Sequence, residues 1–382
     1  MNWLRDNILK ILIILGVAVV AVVILAIVFK PNNNSVESAS KYAELETKLQ
    51  NAAIKYVSQH KKLLPTTTEN ITKIDLKTLQ SNNYIGKIVA IDDSSIKCDG
   101  YVEVTKVYED KQDYRYTPYI SCGKYYVTKA IADYIIDVET ENGTVERTTD
   151  SGLYKIGDEY IFRGEKVNNF IQLGNHKYRI VKIASDRTLE LISTSITPAG
   201  YVWDDRYNID RKDVTGINNF NKSRLYDSLI NLYEQNGTEQ SAAYFSKTEK
   251  NHIVDHDFCI GKRSLNDGNP YSDAECKETI SLKVGLLTAG EAAKASLDVN
   301  CKTIFDESCI NYNYFFPNGK QKSYATLTAV ADSSYKYYKI RPSGVISVVT
   351  SSETQLYPVI YINSKSIYLS GSGTTNDPYV VR

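Results

Sequence analysis

The strongest pattern in the chain is an unbroken apolar run, ILIILGVAVVAVVILAIVF, in which nineteen residues from Ile11 to Phe29 carry no charge. At about 1.5 Å per residue it spans roughly 28 Å, close to the ~30 Å hydrocarbon core of a bilayer, and so predicts one transmembrane helix. A cleaved signal peptide has a shorter apolar region ending at a small-x-small site, which Leu25-Ala26-Ile27-Val28-Phe29 does not offer. Arg5 and Lys10 precede the run and only Lys30 follows at once. The positive-inside bias therefore makes residues 1–30 a cytoplasmic stub and anchor, with everything after Pro31 outside the cell.

Beyond the polar spacer, Tyr42, Leu45, Leu49, Ala52 and Tyr56 recur at three- and four-residue steps, with Glu44 and Lys48 paired on another face. This predicts an amphipathic helix leaving the membrane. A shorter helix is expected over Ile74–Gln80, broken at Gly86. YVEVTKVY and YTPYISC then alternate on either side of the polar turn EDKQDYR, which predicts a hairpin. Residues 137–150 are polar, contain the turn signal Asn142-Gly143 and lack apolar periodicity, so they are expected to link a domain at 31–136 to one at 151–382.

The distal segment opens with strand patterns, EYIFRG, NNFIQLG, HKYRIVKIA and TLELIST. A helix follows over SRLYDSLINLYEQ, with Leu225, Leu229, Leu232 and Tyr233 on one stripe. Ser246-Lys-Thr-Glu249 and Thr288-Ala-Gly-Glu291 each read as the start of a capped helix. YKYYKIRPSGVISVVT reads as a hairpin, YPVIYIN as a buried strand, and GSGTTNDPYVV as tight turns before a closing strand. Helices flanked by strands at both ends make this a second α+β domain, so the fold class is α+β throughout the exterior.

All six cysteines, Cys98, Cys122, Cys259, Cys276, Cys301 and Cys309, fall in the expected exterior, where an even number suggests disulfides. Proximity favours Cys98–Cys122, Cys259–Cys276 and Cys301–Cys309, with the other pairings left open. Lys+Arg and Asp+Glu are each 45 and the pI is about 6.9, so no basic field exists to gather nucleic acid. Thirty tyrosines beside two tryptophans fit either a tyrosine-rich recognition surface or a plain compositional bias.

Two resemblances follow from particular stretches. The helix after the anchor, DLKTLQSNNYIGK, CDGYVEV and YTPYISCGKYY resemble the globular part of type IV pilin-like proteins of Gram-positive bacteria. The chain lacks a Gly-Phe-type prepilin cleavage site and an early glutamate in its apolar helix, so a monomeric stalk is expected. From about Gly152, YIFRGEKVNNFIQLGNHKYRIVKI, GINNFNKSRLYDSL, FCIGKRS, VGLLTAGEAAKASL, TLTA and GSGTTNDPYVV resemble a largely uncharacterised module of bacterial surface proteins. Their order is similar to that of C-type-lectin-like and sulfatase-modifying-factor-like domains. That resemblance implies paired terminal strands with ligand loops between them.

Three constellations carry candidate chemistry. In NHIVDHDFCIGKR, His252 and His256 at i,i+4 would share a helix face as zinc ligands do, but Ile253 stands where a metalloprotease has its glutamate, and a bridged Cys259 has no thiolate to give. The expected account is structural: a helix with Ile253 and Val254 toward the core and the histidines on its wetter side. Asp267, Asp273 and Glu275 are oxygen donors of the kind calcium takes, although their spacing fits no EF-hand and no cofactor is expected otherwise. Tyr201, Trp203, Asp204 and Asp205 combine an aromatic face with carboxylates, a chemistry that suits sugars, against which core packing of Trp203 must be weighed. Nucleophile elbows, P-loops, dinucleotide fingerprints and CxxC are missing, and Ser94-Ser95-Ile96-Lys97 lacks the partner motifs of a penicillin-binding site. The expected protein is a non-enzymatic surface adhesin for carbohydrate or a cell-envelope partner, held in the bacterial membrane by residues 11–29. A structural envelope subunit and a metal-dependent or modifying-factor-like enzyme are the rival readings.

Overall fold

A computed structural model describes residues 33–107, 109–141, 151–197, 200–235, 244–316 and 323–382. The expected anchor and residues 142–150 of the expected linker lie outside the described residues. No described helix is long and apolar enough to cross a membrane. The chain divides into two units, up to Val127 and from Thr128 onward, each with a hydrophobic core of its own.

In the first unit, α1 (Asn33–Gln59) carries the expected apolar stripe, but it is rotated slightly. Tyr42, Leu49, Ala52, Ala53 and Val57 are buried while Leu45 and Tyr56 flank them, and the one acid on the inner face, Glu46, accepts from Tyr126 Oη at 2.8 Å. Strand β1 (Ile71–Asp75) precedes α2 (Leu76–Ser81), so the short expected helix starts two residues late and Ile74 belongs to the sheet. The expected hairpin is β2 (Asp99–Lys106) and β3 (Tyr114–Ser121), with Asp99 opposite Ser121 and the Cys98–Cys122 bridge one residue beyond. The sheet order is β1-β2-β3. Val102 and Val104 point into the core, and alternation puts Tyr101 and Glu103 on the other face.

The second unit begins earlier than the polar linker suggested. Helix α3 (Ile131–Glu141) buries Ile131, Ala132 and Ile135 in the second core, and Ala130 bridges Ile367. Five residues of the expected linker are thus the last turns of a docked helix.

The strands β4 (Gly152–Ile156), β5 (Glu159–Arg163), β6 (Phe170–Leu173), β7 (His176–Ile183) and β8 (Leu189–Ser193) follow, then α4 (Arg224–Glu234), which is capped by Ser223 and buries Leu225, Leu229 and Leu232. Helix α5 (Lys247–His252) starts with the expected Ser246–Glu249 capping box. It stops at His252, where the chain passes straight into β9 (Ile253–Val254) and β10 (His256–Cys259). Then come β11 (Lys262–Arg263), β12 (Thr279–Leu282) and α6 (Ala289–Lys294), opened by the Thr288–Glu291 box. The chain closes with β13 (Tyr324–Val330), β14 (Lys336–Arg341), β15 (Gly344–Val349), β16 (Val359–Ile362), β17 (Tyr368–Ser370) and β18 (Tyr379–Val381).

Among the described residues the principal sheet runs β17-β18-β6-β7-β8-β16-β9, with β5 on β7 and β4 on β5. A second sheet runs β11-β13-β14-β15, and β10 pairs with β12. The expected turn at Pro342-Ser343-Gly344 sets Arg341 opposite Gly344, and the closing strand lies parallel to β6. β8, β13 and β16 are buried along their whole length, and of these β16 is the continuous apolar run expected of a buried strand. The architecture is mixed α+β, as expected.

Candidate functional site

An open pocket of about 450 Å³ lies in the second unit, beside the loop closed by the Cys301–Cys309 disulfide. Its walls come from Glu165 after β5, from Asp298, and from the segment Ile310–Phe316. Gly164 makes the first wall possible. Its φ is +103°, and an added Cβ would stand 2.3 Å from Ser151 Oγ, so glycine alone lets the chain dock there. The docked backbone donates from Gly164 N to Ala295 O at 2.8 Å and bridges Asn313, which places Glu165 at the rim.

The floor is built from amides. Asn313 is buried, and its Nδ2 donates to Ala292 O at 2.8 Å and Cys309 O at 2.9 Å while its Oδ1 accepts from Phe315 N. Asn311 Nδ2 donates to Asp298 Oδ2 at 2.8 Å, and Asn300 N donates to Asp298 Oδ1 at 2.8 Å. These two donors, the Asn311 amide first, hold the Asp298 carboxyl below the usual aspartate range. Between the two asparagines Tyr312 is 63% exposed, with φ at +45°, a conformation that costs a tyrosine energy. The pocket therefore offers to solvent an aromatic ring, two carboxylates and the Asn311 side chain, over the buried Asn313.

A second concentration of charge lies inside the principal sheet. Lys182 Nζ of β7 stands 3.1 Å from Glu291 Oε1, 3.5 Å from Glu159 Oε1 and 3.6 Å from Glu190 Oε2. Three carboxylates around one ammonium cannot all ionise cheaply away from water. Burial, then the Glu291 charge, pushes the Glu190 carboxyl up to about 8, with Lys182 offsetting only part of this. Glu291 goes the other way. Burial opposes its charge, but Lys182 and the Thr288 N–H outweigh burial and hold it below the ordinary glutamate value. Burial likewise opposes the Lys182 charge, yet Tyr361 and the three acids keep its amine well above the usual lysine range. Glu190 is 1% exposed and its Oε2 makes no hydrogen bond, as suits a neutral acid. Such perturbed groups often mark reaction centres. Here Glu190 and Tyr361 belong to the packed interior, so the cluster reads as part of the core.

The sequence-predicted residues fall as follows. Trp203 is fully buried, its ring 4.8 Å from Tyr337 and 6.0 Å from Phe220, so it has no free face to stack on a sugar, and core packing is its role. Asp204 is also buried, accepting from Arg206 Nε at 2.7 Å and Ile217 N at 2.9 Å. Asp205 pairs with Arg224, and Tyr201 bridges Thr354 through its backbone. The two acids of this group are thus engaged by arginines, and its tryptophan by the core.

Of the calcium candidates, Glu275 and Asp267 both face the Arg263 guanidinium, at 2.6 and 3.7 Å. Glu275 is committed to Arg263 Nη2 at 2.6 Å, Thr328 Oγ1 at 2.6 Å and Gly290 N at 3.1 Å. Asp267 accepts from Ser272 at 2.6 Å, while Asp273 is largely exposed, 4.0 Å from Lys277. His252 Nδ1 meets Ser366 Oγ at 3.3 Å, whereas His256 stacks on Tyr361 with ring centroids 3.6 Å apart. The helix end after His252 removes the shared face that i,i+4 spacing would have given. Among the described residues no group of three His, Cys, Asp or Glu could hold a metal ion.

All six cysteines are bridged in the pairs that proximity favoured, as in a protein folded outside the reducing cytosol. The residues the sequence did not single out are Glu165, Asp298 and Tyr312. The segment Asn311-Tyr312-Asn313-Tyr314, one residue past Cys309, was the available signal, an aromatic held between amides next to a short disulfide loop. No protein-family model, curated protein or solved structure matches the chain.

Proposed function

We propose that this is a membrane-anchored extracellular binding protein whose second unit captures carbohydrate, without turning it over, in the pocket beside Cys301–Cys309. The observation that carries this reading is Tyr312, a ring held 63% exposed between Asn311 and Asn313 in a pocket of about 450 Å³ that also presents Asp298 and Glu165. An exposed aromatic face packs against the C–H side of a sugar ring, and carboxylates and amides exchange hydrogen bonds with its hydroxyls. The chemistry first sought at Trp203 is thus assigned to a different loop. The bridged cysteines and the apolar run at Ile11–Phe29 support placing this unit outside the cell on a single anchor. The first unit serves in this reading as the stalk.

A glycan array probed with the full chain in detergent tests the proposal. Selective binding that disappears in Tyr312→Ala, while Tyr201→Phe binds as the parent does, is the expected result. A blank array, or binding indifferent to Tyr312, would overturn it.

A further inference from the structure

The charge of the same pocket narrows what it can hold. Its described lining carries two carboxylates, Glu165 and Asp298, and no lysine, arginine or histidine. Among the described residues no ion pair offsets either one. Asp298 is held by the neutral amides of Asn311 and Asn300. Arg163, two residues before Glu165, donates instead to the carbonyls of Lys294 and Ser296, each at 2.7 Å. The charge on the described lining is therefore negative, and it lies beside Tyr312.

Uronic, sialic and sulfated sugars bring a negative charge that this lining repels. A protonated primary amine gains charge-assisted hydrogen bonds to the carboxylates and a cation–π contact with the ring. Because the donors on Asp298 keep it ionised in mildly acidic solution, the pocket and a sugar amine are both charged under the same conditions. We infer that the ligand is a saccharide with a free amino group, its ammonium seated between Asp298 and Glu165 against Tyr312. This rests on the carbohydrate reading above.

The test is calorimetric titration of the full chain at about pH 5 with three probes: an oligomer of β-1,4-linked glucosamine, the same oligomer fully N-acetylated, and an oligomer of a uronic acid. The free-amine oligomer is expected to bind at least about tenfold more tightly than the acetylated one, since only its ammonium makes the charged contacts. The uronic oligomer should not bind. Glu165→Gln should erase most of the preference by weakening the free-amine oligomer far more than the acetylated one, and because Glu165 is exposed this variant keeps the fold intact. Equal affinity for the first two probes would overturn the ammonium inference and leave carbohydrate binding standing. Binding of the free-amine oligomer that survives in a Glu165→Gln, Tyr312→Ala double variant would overturn it as general attraction to an acidic surface. Failure of every probe would overturn the ammonium inference, and a blank glycan array beside it would remove the carbohydrate reading as well.

Discussion

Glu190→Gln is the most informative perturbation of the second unit. The side chain is buried in the middle of the principal sheet, and its carboxyl is pushed from 4.5 up to about 8 by burial first and by the Glu291 charge second. A folded-state value above the unfolded one means the native protein prefers the protonated acid. The associated stability is fully present below pH 4.5 and is lost as pH rises toward 8. Each pH unit in that window is worth about 1.4 kcal/mol, so the whole span sets a ceiling of roughly 5 kcal/mol. Glutamine copies the shape of the neutral acid and cannot ionise.

The parent should therefore lose several kcal/mol of stability between about pH 5 and pH 8.5, and the variant should lose much less. Near pH 5 the two should agree within about 1 kcal/mol, the size of one exchanged hydrogen bond. At the upper pH the variant should be the more stable. Urea unfolding followed by the emission of Trp203, which is fully buried in this unit, reads the transition directly. A parent whose midpoint is flat across the window would show that Glu190 is ionised against Lys182 in the native state. So would a variant weakened equally at both pH values.

Four further outcomes follow from the same geometry. Trp203→Ala should destabilise the second unit by about 3–5 kcal/mol in urea unfolding, as loss of a large core side chain does, and Trp203→Phe should bind carbohydrate as the parent does. Tyr312→Gly should raise stability slightly, by up to about 1 kcal/mol, because φ of +45° suits glycine, while binding on the array vanishes. Replacing Cys301 and Cys309 together with serine opens a loop of sequence separation 8 and should cost about 2–3 kcal/mol by differential scanning calorimetry. A chelator should leave carbohydrate affinity unchanged, because Glu275 is already bound to Arg263, Thr328 and Gly290, and a fall in affinity on calcium removal would contradict this.

What could be read from the sequence was local. The two capping boxes at Ser246–Glu249 and Thr288–Glu291, the stripe of Leu225, Leu229 and Leu232, the hairpin at Pro342-Ser343 and the three disulfides all depend on residues close together in the chain, and each was visible there. Other features depended on partners distant in sequence. Polar spacing alone could not show that α3 docks onto the second core through Ile131 and Ile135, nor that the helix after Ser246 gives way to a strand at Ile253, which pairs with Ile362. For Trp203 and its acids the sequence offered both a sugar chemistry and core packing, because whether a ring faces water is decided by what packs on it, here Tyr337 and Phe220. The pocket shows the same limit. Glu165, Asp298 and Tyr312 are scattered over nearly 150 positions, and only the bridge from Gly164 to Asn313 and the Asp298–Asn311 bond bring them to one rim.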